Sequence, residues 1–194
     1  LPRIEMALED LEAREIKPFI KAFKARCPMV MTAHILCPKI DPTYPATLSK
    51  IILQDLLRQK FRYSRVIVSD DMEMKALEKY GPEEAALLAV NAGCDCLLYR
   101  GDKGLPLKQI EAIVRAIEEK KIPKLRVELA VHRIEQMKKG YANIKAPIDV
   151  TQVSKFIGLP EHFQLADQIM RKEPPKEEQA EDAQGHDKEL TRNK

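Results

Sequence analysis

Three apolar runs, each followed by an amphipathic segment, constrain this chain more than any other feature. They are CPMVMTAH from Cys27, RVIVSDD from Arg65 and CDCLLYR from Cys94. Each run is continuous in its apolar character rather than alternating, which is the pattern of a strand buried on both faces. Behind them lie ATLSKIILQDLLRQKF, PEEAALLAVNA and PLKQIEAIVRAIEEK, three segments of helical spacing. The second has Pro82 at its front, Glu83 and Glu84 in its first turn and Gly93 just past its end, the expected asymmetry of helix termini. Strand, loop and helix repeat at about thirty residues per unit, the size of a βαβ crossover. The fold class is therefore α/β, with about three parallel strands and flanking helices. Polar groups gather where the runs end: Thr32 and His34, then Ser69 to Asp71, then Tyr99 and Arg100. That is the edge at which α/β sheets hold ligands.

The flanking segments are simpler. Residues 4–25 carry apolar residues at helical spacing, with Pro18 either kinking the segment or opening a second helix. Residues 124–142 read as an amphipathic helix and 151–170 as a further one. From Arg171 the chain has no aromatic residue, one branched aliphatic (Leu190) and charges of both signs. Such a tail cannot bury enough apolar surface to offset its ordering, so it is expected to be disordered. The predicted division is 1–145, 146–170 and 171–194.

Composition removes several function classes. Thirty-three basic and 30 acidic side chains are mixed along the chain, leaving a net charge of +3 and no basic block, so no nucleic-acid partner is expected. No apolar run approaches the ~20 residues of a membrane span. Cys27, Cys37, Cys94 and Cys96 show no CxxC spacing and read as reduced thiols, which points to a cytoplasmic location. His34, His132, His162 and His186 show no metal-ligand spacing with them, and neither a metal nor a cofactor is expected. The chain opens on Leu1-Pro2-Arg3 without an initiator Met, so its true start is expected upstream.

The adjacent carboxylates of RVIVSDDMEM allow three readings. One is structural, a strand-end Asp bonding the backbone of the following turn. One is a Mg²⁺ site of Walker B type, which needs a GxxxxGK[ST] loop; this chain has none, and RGDKGLP at 100–106 lacks the Lys-Ser/Thr pair. The third is a catalytic carboxylate at the mouth of a barrel.

VMTAHILCPKIDPTYPATLSKIILQDLLRQKFRYSRVIVSDDMEMKAL resembles the sixth and seventh βα units of glycoside hydrolase family 3, in the bacterial β-N-acetylhexosaminidase branch. MTAH at a strand end, DP…PATLS leading into a helix, SDDMEM at the next strand end and AVNAGCDCLL before the last strand follow in the family's order. LPRIEMALEDLEAREIKPF resembles the helix after the fifth strand, so the likeness covers roughly residues 1–120. The resemblance implies the C-terminal part of a TIM-like (β/α)8 barrel. It implies a glycosidase acting on terminal β-linked N-acetylglucosamine, as in recycling of cell-wall muropeptides. Asp70 matches the retaining nucleophile, Met31 and His34 would lie beside the sugar, and Met74 just past the nucleophile. Asp71 reads as a turn-stabilising or pocket-shaping neighbour, since consecutive side chains on extended backbone point to opposite sides.

The family's acid/base is a His–Asp pair in a KHFPGHGDT-like loop that this chain does not carry, and the earlier strands of the barrel are missing as well. Carrying the nucleophile without its proton donor, the chain alone is expected to be inactive. Its open three-stranded sheet is expected to fold poorly or self-associate. The alternatives are a β-glucosidase of the same family and a non-catalytic sugar-binding or assembly remnant.

Overall fold

The computed structural model describes residues 1–101, 104–141 and 150–172. The chain divides into two compact units, Leu1–Ile144 and Lys145–Lys194. The first is built on three parallel strands, β1 (Met29–Met31), β2 (Val66–Asp71) and β3 (Cys96–Leu98), ordered β1-β2-β3. Met29 to Met31 of β1 face Val66 to Val68 of β2 in register, and Val68 faces Cys96. β2 lies between the others, and its Val66, Ile67, Val68 and Ser69 are all buried. Both faces of this strand are covered, which is why its sequence is apolar without alternation.

Parallel neighbours need crossovers, and helices supply them. The chain leaves β1 through a 3₁₀ turn (Ala46–Leu48) and a helix wound in π register (Ile51–Lys60). It leaves β2 through a second 3₁₀ segment (Lys75–Tyr80) and α3 (Pro82–Ala92). α4 (Leu105–Glu118) and α5 (Lys124–Tyr141) follow β3. The core joins Leu48, Leu53, Tyr63, Ile67, Met72 and Leu77 to the alanine face of α3, Ala85, Ala89 and Ala92. Small residues let α3 approach the π-helix closely, and Gly93 ends it at φ 129°. A Cβ at Gly93 would stand 2.6 Å from Gln54 Nε2, so this position needs glycine on two counts.

Three expectations change in detail. Residues 4–25 are not helical from their start: Ile4 N–H bonds the Leu36 carbonyl, and Leu36 N–H bonds that of Pro2. Pairing with the loop after β1 overrides the helical spacing until α1 (Leu8–Ala13). Pro18 then opens α2 (Lys17–Lys24) within its first turn, the second of its two predicted roles. In the second unit, residues 151–170 are two elements, a 3₁₀ segment (Val150–Lys155) and α6 (Pro160–Met170). They are separated by Gly158 at φ 71° and by Pro160, which starts the new helix. The tail expected to be disordered lies, beyond Lys172, outside the described residues.

The N-terminal end of the sheet is fastened by a buried ion cluster. Asp95 is fully buried just before β3. Its Oδ2 accepts from Arg58 Nη2 at 2.6 Å and from Ile67 N–H at 3.0 Å. Its Oδ1 accepts from Arg126 Nη1 at 3.1 Å and Arg133 Nη1 at 2.9 Å. One carboxylate thus ties the π-helix, β2 and α5 together. Arg58 also donates to the Tyr63 and Arg65 carbonyls, and Arg126 to those of Val90 and Cys94.

Among the described residues, the outer edges of β1 and β3 pair with no further strand. Met31 and Leu98 are exposed there, and α4 presents Leu107, Ile110 and Val114 to solvent. No helix among the described residues is long and apolar enough to cross a membrane.

Candidate active site

All four sequence-predicted site residues lie at the C-terminal edge of the sheet. Met31 ends β1 and is 54% exposed; Met74 leads into the 3₁₀ segment after β2 and is also exposed. Asp70 sits near the end of β2, half-buried. His34, three residues past β1, is only 3% exposed.

The ladder between the strands opens before it reaches Asp70. Thr32 N–H still bonds the Val68 carbonyl at 2.9 Å, as a parallel ladder requires. Next along the strands two backbone N–H groups turn to side-chain hydroxyls. Asp70 N–H donates to Thr32 Oγ1 at 3.3 Å, and Leu98 N–H donates to Ser69 Oγ at 2.9 Å. The β2–β3 register shifts over the same stretch, between Val68 and Asp71. On the β3 side pairing continues past the shift, with Asp71 facing Leu98 and Met72 N–H bonding the Leu98 carbonyl at 2.9 Å, so the strand parts from β1 alone where it carries its carboxylates.

The two acids have different partners. Asp70 Oδ1 accepts the N–H of Asp71 at 2.8 Å, and Oδ2 takes no hydrogen bond from the described residues. Asp71 turns the other way: its Oδ1 accepts the Glu73 N–H at 3.1 Å, fixing the turn, and Arg100 Nε stands 3.9 Å from its Oδ2. Glu73 in turn accepts the backbone N–H groups of Arg100 at 2.9 Å and Gly101 at 2.5 Å, tying the segment after β3 to the end of β2. Burial, assisted by the Glu73 carboxylate, pushes the nearby Tyr99 phenol up to about 12.

His34 is committed to the protein on both nitrogens. Nδ1 stands 2.8 Å from Thr47 Oγ1 and Nε2 2.9 Å from the Asp71 carbonyl. Thr47 is fully buried and also lies 2.8 Å from Thr32 Oγ1. The DPTYPATLS segment explains how Thr47 gets there. Asp41 Oδ1 accepts the N–H groups of Thr43 and Tyr44, and its Oδ2 accepts the Ser49 hydroxyl at 2.6 Å. Ser49 Oγ then accepts Ile52 N–H at the start of the π-helix. The loop is a rigid bracket with Thr47 at its inner corner.

Thr47 and Glu73 were missed as site residues by sequence reasoning. A threonine flanked by Ala46 and Leu48 in a proline-rich loop carries no local signal of its own. Among the described residues no group of three or more His, Cys, Asp or Glu side chains could hold a metal ion. All four cysteines are free thiols.

An accessible carboxylate oriented by backbone at the mouth of a parallel sheet can act as a nucleophile. Comparisons with known proteins agree in kind. Residues 1–137 match the family model described as the glycosyl hydrolase family 3 N terminal domain. A β-hexosaminidase of Idiomarina loihiensis is 33% identical over 119 residues, covering 61% of this chain and 36% of its own length. A solved family 3 β-N-acetylglucosaminidase from Paenibacillus superposes with TM-score 0.71 at 36% identity, over 73% of this chain and 27% of that one. The β-N-acetylglucosaminidase of Thermotoga maritima superposes with TM-score 0.66 at 34% identity, over 71% and 31%. The chain spans 36%, 26% and 42% of the length of three curated β-hexosaminidases that it matches.

Proposed function

This chain belongs to glycosyl hydrolase family 3, and from that premise we propose that it carries the nucleophile half of a retaining β-N-acetylhexosaminidase. The substrate is a glycoside with a terminal β-linked N-acetylglucosamine, as in cell-wall muropeptides recycled in the cytoplasm. The observation that carries the reading is Asp70 near the end of β2, one oxygen accepting from Asp71 N–H and the other taking no hydrogen bond from the described residues.

In the proposed reaction a carboxylate oxygen of Asp70 attacks the anomeric carbon as the bond to the leaving oxygen breaks. Water then attacks the same carbon, loses a proton, and returns the Asp70 carboxylate. Asp71 holds the turn beneath the nucleophile, and the exposed Met31 and Met74 give the sugar an apolar rim. His34 serves this site from behind, since both its ring nitrogens are occupied.

Poor leaving groups need protonation as they depart. Of the histidines described in the first unit, neither His34 nor His132 is placed to supply a proton beside Asp70. His34 is committed, and His132 lies on α5 beside Pro28, Ser64 and Arg65 at the opposite end of the strands. Alkyl glycosides therefore need an acid other than these two histidines.

A 5-fluoro N-acetylglucosaminyl fluoride tests the nucleophile separately. Its fluoride leaves without an acid, and its ring fluorine slows hydrolysis of the covalent intermediate. The expected result is a sugar adduct on the peptide containing Asp70, absent in Asp70→Asn. An adduct on another carboxylate would overturn the assignment.

A further inference from the structure

Four hydrogen bonds behind the site form one closed circuit; donor chemistry fixes the direction at the Asp71 carbonyl and at the Asp70 N–H, and with a neutral His34 ring the two between them follow. The Asp71 carbonyl can only accept, so His34 Nε2 carries a proton. In a neutral imidazole Nδ1 is then an acceptor, and the Thr47 hydroxyl donates to it. With its only proton used, Thr47 must accept from the Thr32 hydroxyl. Thr32 Oγ1 in turn accepts from Asp70 N–H. The circuit leaves the backbone at Asp70 N–H, passes through Thr32, Thr47 and His34, and returns at the Asp71 carbonyl.

We propose that Thr32, Thr47 and His34 are positioning residues for the Asp70 carboxylate, holding it through a one-way hydrogen-bond circuit that locks the Asp70–Asp71 backbone from both sides. The proposal rests on Asp70 as nucleophile. Among the described residues, no other hydrogen bond on the β1 side holds the Asp70 N–H. The second lone pair of the Asp71 carbonyl accepts Met74 N–H at 3.1 Å, so that oxygen is saturated. Asp71 N–H holds Asp70 Oδ1, so locking this peptide also locks one carboxylate oxygen. All three relay side chains are neutral. They orient the nucleophile without placing a cation against it, which would stabilise the ground-state carboxylate and blunt its attack.

The circuit makes a prediction on the unaltered protein. In long-range proton–nitrogen NMR correlations, His34 is expected as the Nε2–H tautomer at neutral pH, with Nδ1 unprotonated. An Nδ1–H tautomer or an imidazolium there would overturn the proposal. Thr47→Val breaks the circuit at its middle with little change in volume, and Thr47→Ser restores the hydroxyl. The valine variant is expected to speed exchange of the Asp70 amide and slow adduct formation by the fluoride probe, each by about tenfold. Exchange at Val66 to Val68 stays unchanged, and the serine variant recovers both rates. An adduct forming on Asp70 at the wild-type rate in Thr47→Val would overturn the circuit and leave the nucleophile standing. An adduct elsewhere, whatever the tautomer, would overturn the nucleophile and with it the positioning role.

Discussion

Replacing Asp95 with alanine should cost this fold more than any other single surface-to-core change of one charge. The carboxylate is fully buried and accepts from three arginines and from the Ile67 N–H. Burial already pulls the Arg58 guanidinium below its usual value, and Asp95 is the main group opposing that pull. Without it, Arg58 and Arg126, whose side chains are 9% and 12% exposed, face each other with no counter-charge. Removing one partner of a buried ion pair costs about 3–5 kcal/mol, because the remaining charge is left desolvated. Losing the acceptor of a buried backbone N–H adds about 1 kcal/mol or more. Against a typical domain stability of about 5–15 kcal/mol, that is a large fraction. With a urea slope of about 2 kcal/mol per molar, the unfolding midpoint should fall by about 2 M. Asp95→Asn keeps the shape but aims an amide at the arginines, so it should lose most of the same stability. Glu83→Gln, which breaks an exposed pair with Arg115, is the control and should leave the midpoint in place. A shift in Asp95→Ala worth under about 1 kcal/mol would refute the view that this carboxylate fastens the N-terminal end of the sheet.

Gln109 on α4 is 1% exposed, and neither polar atom of its amide has a hydrogen-bond partner among the described residues, so Gln109→Leu should stabilise by about 1–2 kcal/mol in thermal melts; a loss would mean that the amide is satisfied. Gly93→Ala meets both a positive φ and the Gln54 side chain, and should cost about 1–3 kcal/mol; adding Gln54→Ala should recover only the steric part, measured as the difference between two melts. Burial pushes the Cys94 thiol from its ordinary 9.0 up to about 12 and the Tyr99 phenol from 10.0 up to about 12. Both folded values are raised, so the folded chain keeps protons that the unfolded chain releases, and stability is present in full below about pH 9 and falls as pH rises to about 12. The slope is at most about 1.4 kcal/mol per pH unit for each group, and urea midpoints that stay level across that window would contradict it.

The parts of this fold that were legible in the sequence are those whose cause is local. β2 could be read because burial on two faces demands an uninterrupted apolar run, and the run stops at Ser69 where the ladder opens. The reading of Asp70 came from the family resemblance; extended backbone alone set Asp71 to the opposite side, where it accepts the Glu73 N–H. Where partners are distant, the sequence was silent. Asp95 stood as one charge inside the apolar AGCDCLL, and its arginines lie 31 to 38 positions away. Nothing local says which charges will meet there. Ile4 has helical spacing to Leu8 and Leu11, yet its amide is claimed by Leu36. His34 was legible as a polar group at a strand end, but not its two partners, because Thr47 reaches it only through the bracket built on Asp41 and Ser49.

The two ends of this sheet are held by opposite kinds of chemistry, and the difference follows from what each end must do. At the N-terminal end, Asp95 is paired with three cations and buried; its charge is fully spent on structure, and the arginines of the π-helix and α5 are anchored by it. On the proposed mechanism the carboxylate of Asp70, at the C-terminal end, must be held as firmly yet remain reactive. An arginine there would fix its direction while binding the ground state more tightly than the transition state, in which the carboxylate charge is passing to carbon. Hydroxyls and a neutral imidazole acting through the backbone give direction without that penalty. Across this edge the Arg100 guanidinium stands 3.9 Å from Asp71 instead. Exchanging the two strategies should therefore fail in a specific way. A Thr32→Lys variant, placing an ammonium where the hydroxyl now meets the Asp70 backbone, should retain carbohydrate binding but form the covalent adduct on Asp70 far more slowly. An adduct rate equal to wild type would show that a nearby cation does not blunt this nucleophile, and that the neutral relay has no electrostatic purpose.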